Sequence, residues 1–114
     1  MRLVVLVSGT GTILEAIIGA GIPVALVVSD RPCSAIERAE TAGVEAVVVA
    51  RENFGADFDR HGYTVRLTSL LEEVAIDLVA MAGFGTILAA PIYDRYAGRI
   101  LNTHPSLLPA FPGW

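Results

Sequence analysis

"LVVLVSGTGTIL", residues 3–14, decides how the whole chain is read. Leu3–Val7 is an unbroken apolar run with no polar alternation, as expected of a strand covered on both faces. It stops at Ser8-Gly-Thr-Gly-Thr12, and a short helix, Ile13–Ala20, apolar nearly all round and so expected to be buried, is predicted directly afterwards. A buried strand turning through glycines into a helix is the opening of a βα unit.

The unit repeats along the chain. Val24–Val28 is a second strand, closed by "SDRP", and Ser34-Ala-Ile-Glu37 has the form of a capping box starting a helix that ends at Gly43. Val44–Val49 is a third strand. "RENFGADFDRHG" is a polar connection, partly helical. Leu67, Leu70, Leu71 and Val74 recur at helical spacing, so a helix packs one face there. Asp77–Ala82 is a fourth strand, Ala89–Tyr96 a short helix with Pro91 in its first turn, and Arg99–Thr103 a fifth strand. This alternation predicts a single α/β domain over residues 1–114, a doubly wound, mainly parallel Rossmann-like sheet. In such sheets ligands bind beyond the carboxyl ends of the strands, which singles out "SGTGT", "GFGTIL" and "NTHPS".

Composition narrows the function. The chain is 54% hydrophobic, yet Gly, Asp, Arg or Pro interrupts every apolar run before membrane-span length. The start "MRLVVLVSGTG" lacks a signal-peptide cleavage pattern. A net charge of −4 and no basic cluster argue against a nucleic-acid surface. The single cysteine, Cys33, has no internal partner, which favours a reducing compartment and a cytoplasmic location; it is read as a loop-end thiol without a role. His61 is read as an exposed loop histidine.

Gly9 and Gly11 let the backbone turn sharply, and the following helix N-terminus offers free N–H groups suited to a phosphate, with Thr10 and Thr12 as added donors. A rival is a dinucleotide site: Gly9-x-Gly11 begins that fingerprint and Asp30 ends the second strand where a ribose-binding acid lies, but Leu14 replaces the third glycine. A tight turn that binds nothing is the plain alternative. In "GFGTIL", Phe84, Ile87 and Leu88 could line a pocket for a flat ligand or simply pack under a loop. Asn102 and His104 project to one side of an extended strand, kept so by Pro105. An amide can hold a developing oxyanion and an imidazole can move a proton near neutral pH.

Together, "VVLVSGTGTIL", "LVAMAGFGTIL" and "YAGRILNTHPSLLPAFPG" resemble, in order and spacing over nearly the whole chain, the phosphoribosylglycinamide formyltransferase family of purine biosynthesis. The "LNxHPSLLPxxPG" element marks folate-dependent formyl-transferring enzymes, and the "SGxG" loop separates this family from methionyl-tRNA formyltransferase and formyltetrahydrofolate deformylase. The resemblance implies that the backbone of Gly11, Thr12 and Ile13 binds the phosphate of glycinamide ribonucleotide. It implies that Gly85, Thr86, Ile87 and Leu88 contact 10-formyltetrahydrofolate, that Asn102 holds the formyl oxygen, and that His104 is the acid/base group. No metal is implied.

The chain departs from the family pattern. "SGNGSN" is SGTGTI here, and "GFMRIL" is GFGTIL, replacing Met and Arg with Gly85 and Thr86. A folate-contacting arginine of some members falls at Gly55. The family continues past "FPG", so the resemblance implies an amino-terminal portion, a formyltransferase fold truncated after its fifth strand. Alone it is expected to be nearly inactive and to self-associate or require a complementary carboxy-terminal polypeptide. The alternatives are a phosphate- or folate-binding module without catalysis, a related formyl-transfer or deformylase protein, and a dinucleotide-dependent oxidoreductase.

Overall fold

The computed structural model describes residues 1–103. Five strands and four helices alternate as β1 Leu3–Val7, α1 Thr12–Gly19, β2 Leu26–Ser29, α2 Ser34–Thr41, β3 Ala46–Val48, α3 Arg60–Glu73, β4 Leu78–Ala82, α4 Ala90–Arg95 and β5 Ile100–Thr103. All pairings are parallel, in the order β3-β2-β1-β4-β5. The doubly wound expectation therefore holds. Several boundaries move inward: β2 starts at Leu26 rather than Val24, and β3 keeps only three of the six residues expected.

β1 is central, with every residue buried, and its alternation divides two cores. Leu3, Val5 and Val7 face α1 and α2 together with Val27, Ala80 and Ala82. Val4 and Leu6 face α3 and α4 with Val28, Val79 and Met81. On the first face α2 contributes the small Ala35 and Ala39 beside Leu14 of α1. The second takes Tyr63, Leu67, Leu71, Ile92 and Tyr96, all essentially inaccessible. The α3 spacing read from the sequence is confirmed: Leu67 and Leu71 are fully buried, with Leu70 and Val74 packed beside them. Burying each leucine contributes roughly 2 kcal/mol.

Three expectations are corrected. Helix α1, apolar nearly all round, buries only Leu14 completely and leaves Ala16 exposed, because it covers one face of a sheet rather than entering a core. Ser34 is no capping residue: extended Cys33 is the N-cap, no side chain caps it, and the Ala35 N–H donates to the Gly9 carbonyl at 3.1 Å. A tertiary bond to the first glycine loop satisfies one donor of this first turn in place of a side-chain cap. His61 is exposed, as expected, but lies in the first turn of α3, whose N-cap Asp59 accepts from the Gly62 N–H at 3.0 Å.

Helix α2 ends as its sequence says. Gly43 has φ +77°, with Gly43 N–H to Glu40 C=O at 3.0 Å and Val44 N–H to Ala39 C=O at 2.9 Å. Helix α3 ends with the same bond pattern, but Ala75 holds the left-handed position at φ +57°. A methyl group there is strained, by about 1 kcal/mol. Ala75→Gly should therefore raise the unfolding free energy by roughly 0.5–1 kcal/mol, a few degrees in Tm, in chemical and thermal denaturation.

Candidate active site at the carboxyl edge of the sheet

The sheet order reverses direction on either side of β1, which opens a crevice between the loops leaving β1 and β4. These are residues 8–11 and 83–89, and they touch: the Gly85 N–H donates to Ser8 Oγ at 2.7 Å.

The β1 loop forms an open helix start. Gly11 is the N-cap of α1 at φ +82°, without a side-chain cap. The first backbone bond of the helix is Glu15 N–H to Gly11 C=O at 2.8 Å, which leaves the N–H groups of Thr12, Ile13 and Leu14 without protein acceptors among the described residues. Such N–H groups, at the positive end of the helix dipole, suit an anion. Gly11 itself is demanded by packing as much as by any ligand. A Cβ there would lie 2.9 Å from both Cα and Cβ of Ala35. Gly9, by contrast, opens onto free space. Arg38 of α2, which sequence reading missed, reaches this turn and pairs with Glu15 across the two helices.

The β4 loop is held at four points. Besides the Gly85 bond, Thr86 Oγ1 donates to Asp30 Oδ2 at 2.5 Å. Arg60 Nη1 donates to the Ile87 carbonyl at 2.5 Å, and the Ala89 N–H donates to Thr64 Oγ1 at 2.9 Å. Arg60 thus brings a guanidinium to the loop although the family's arginine falls at Gly55. Of the four residues expected to meet a folate, Ile87 turns its side chain outward, at 72% exposure. Thr86 and Leu88 are buried, so they could offer only backbone groups, and Gly85 has no side chain to offer.

Asp30 ties the edge together. Its side chain is inaccessible; Oδ1 accepts from Arg31 Nε at 2.9 Å, and Oδ2 from Arg31 Nη2 at 3.0 Å and from Thr86. Burial by itself pushes this carboxyl upward, but the hydrogen bonds from Arg31 and Thr86 outweigh it and hold the group below its ordinary value. Both oxygens are engaged, so Asp30 has no room for a ribose, and with Leu14 fully buried in the third-glycine position the dinucleotide reading fails.

Asn102 is exposed and pairs in register with Met81. It lines a groove of about 400 Å³ with Tyr93, Tyr96, Ile100 and Met81. Strand alternation puts its amide on the α3/α4 side, two strand spacings from β1, about 10 Å. His104 lies outside the described residues. Cys33 is a free, half-buried thiol whose Sγ is 3.3 Å from Ser29 Oγ.

A five-stranded parallel sheet with its crevice at the switch point defines a Rossmann-like α/β protein, and the comparisons with known proteins narrow the class. The family described as formyl transferase matches residues 1–114, and the chain belongs to that family. It is 41% identical to the phosphoribosylglycinamide formyltransferase of Mycobacterium tuberculosis over 98% of its own length and 53% of that protein. It is 40% identical to the trifunctional purine biosynthetic protein adenosine-3 of Drosophila melanogaster over 98% of its length and 9% of that protein. The crystal structure of glycinamide ribonucleotide transformylase 1 from Symbiobacterium toebii superposes with a TM-score of 0.85 at 38% identity, covering 99% of this chain and 55% of that one. The chain thus spans about half the length of the single-activity relatives it matches.

The Asp30 network generates a stability prediction. Asp30→Ala should destabilise by about 1–3 kcal/mol, since it leaves the buried Thr86 hydroxyl without its acceptor and Arg31 without its carboxylate. A lowered folded-state pKa means stability that is present above the unfolded value near ~3.9 and lost as pH falls through the folded one. In urea titrations the gap between wild type and Asp30→Asn should be full at pH 6 and shrink below about pH 4.

Proposed function

We propose that the chain serves phosphoribosylglycinamide formyltransferase chemistry, the transfer of a formyl group from 10-formyltetrahydrofolate to the amine of glycinamide ribonucleotide. The observation that carries this reading is the match over the whole chain to relatives named for that activity, at 41% and 38% identity. The open N–H groups at Thr12 and Ile13, beyond Gly11, support a phosphate seat there. The firmly held Gly85–Leu88 loop, with Ile87 facing out, supports a wall for the folate.

In this reading the substrate amine attacks the formyl carbon, a C–N bond forms, and the carbonyl oxygen takes the charge of a tetrahedral intermediate. Asn102 donates to that oxygen. His104 carries the proton lost by the amine, and N10 of the folate receives a proton as its bond to the formyl carbon breaks. The reaction is an acyl transfer between two nitrogens, with no net redox change.

The partner reading belongs here too. β5 is the edge of the described sheet, and Leu101 is 56% exposed on it. An exposed apolar edge strand favours association, with another copy or with a complementary polypeptide. Leu101→Lys should shift the protein toward monomer in light scattering at high concentration; an unchanged mass would remove this edge as the contact.

The activity is tested by combining the protein with the complementary carboxy-terminal polypeptide that this reading requires, incubating the pair with both substrates and following formylated glycinamide ribonucleotide by mass spectrometry. Asn102→Ala should lower kcat/KM about 100-fold or more. His104→Ala should cost about 10²–10⁴-fold. Product formation unaffected by either substitution would overturn the assignment. Absence of product together with measurable binding of both ligands would favour the non-catalytic module instead.

A further inference from the structure

The family motif carries Met and Arg where this chain has Gly85 and Thr86, and the structure shows what occupies their surroundings. A Cβ at residue 85 would have Arg31 Nη2 3.4 Å away and Ser8 Oγ 3.5 Å away. Arg51, from the connection after β3, donates through Nη1 to Thr86 Oγ1 at 3.3 Å. Two guanidinium groups thus reach, from neighbouring loops, the two positions that lack the motif's bulk and charge.

They do not reach there loosely. The guanidinium of Arg51 lies 3.8 Å from the centroid of Phe58 and 4.6 Å from that of Phe54, while Arg31 stands 4.5 Å from Phe54. Arg51 Nε donates to the Asn53 carbonyl at 3.1 Å, and its backbone N–H donates to the Asp30 carbonyl at 3.3 Å. The Thr86 hydroxyl that accepts from Arg51 donates in turn to Asp30. The plane of the guanidinium is therefore fixed before any ligand arrives.

The two arginines differ in what they have left to give. Arg31 is neutralised by Asp30. Arg51 has no carboxylate within ion-pairing distance among the described residues. Its acidic neighbours on the same connection, Glu52 and Asp57, are exposed, and Asp59 caps α3. A planar cation held against aromatic rings, with unneutralised charge, recognises carboxylates with fixed geometry.

We propose that Arg51 is the residue by which this chain selects a carboxylate-bearing folate over a bare pterin, replacing from another loop the charge that the motif places at residue 86. This rests on the formyl-folate reading of the site. It makes Arg51 a specificity determinant.

The test uses Arg51→Gln and Arg51→Lys, titrated calorimetrically with 5-formyltetrahydrofolate and with 6-methyltetrahydropterin, which lacks the glutamate, at low and high salt. Wild type should prefer the folate, and the preference should weaken with salt. Arg51→Gln should reduce the preference about tenfold while leaving pterin affinity unchanged. Arg51→Lys, which keeps the charge without the planar fork, should retain part of it and its salt dependence. A purely structural Arg51 would instead weaken both ligands together, and that result overturns the proposal. So does a wild-type preference that survives in Arg51→Gln, although the formyl-folate reading then stands. Wild type that binds neither probe brings down both.

Discussion

One buried carboxylate organises the functional edge of this protein. Asp30 ends β2 with no exposed surface, and its two oxygens collect hydrogen bonds from Arg31 and from Thr86 of the β4 loop. Arg51 of the β3 connection joins through Thr86, and Ser8 of the β1 loop joins through Gly85. Removing a carboxylate from water costs several kcal/mol, and only dense, well-aligned donors offset it. The four loops are therefore fixed relative to one another by a group that cannot tolerate losing its partners. A crevice built from loops that otherwise touch at few points gains a defined shape.

The two faces of the sheet complement that constraint differently. Valines and alanines on the α1/α2 side let helices approach closely, so that Gly11 meets Ala35 and the Gly9 carbonyl takes the first N–H of α2. The N–H groups of α1 are left turned to the crevice. On the other side Tyr63, Leu67, Leu71 and Tyr96 make a thicker layer, and α3 sends Arg60 and Thr64 up to clasp the loop that follows β4. The close-packed face presents open backbone donors and the thick face a stiff apolar rim ending in Ile87.

The sequence was most legible where a pattern is local and repeated. Apolar runs at 3–7 and 78–82, the leucine spacing in α3 and the glycine after α2 each report backbone periodicity or a single φ requirement, so strand order in the chain and fold class follow from them. Of the three loops expected at the strand ends, those after β1 and β4 meet there, and most of the third lies outside the described residues. The side chains were less legible: Thr86 and Leu88 turn inward, and Gly11 serves helix packing as well as the turn. The capping box at Ser34 misled because the helix starts one residue earlier, with extended Cys33 at the N-cap, and its first turn finds a distant carbonyl through the Ala35 N–H. Arg51, 35 residues from Thr86 in the chain, left no local mark at all.

What the sequence determined by itself, then, was the alternation of elements, the fold class they imply and the chemistry available at the strand ends, because hydrophobic period and glycine stereochemistry are properties of neighbouring residues. Only the tertiary structure decided which side chains face the crevice, which arginine stands beside which loop residue, and that Asp30 is already saturated. Those outcomes depend on how strands distant in sequence register side by side, and on competition among donors for one buried acceptor, neither of which any single stretch of the chain contains.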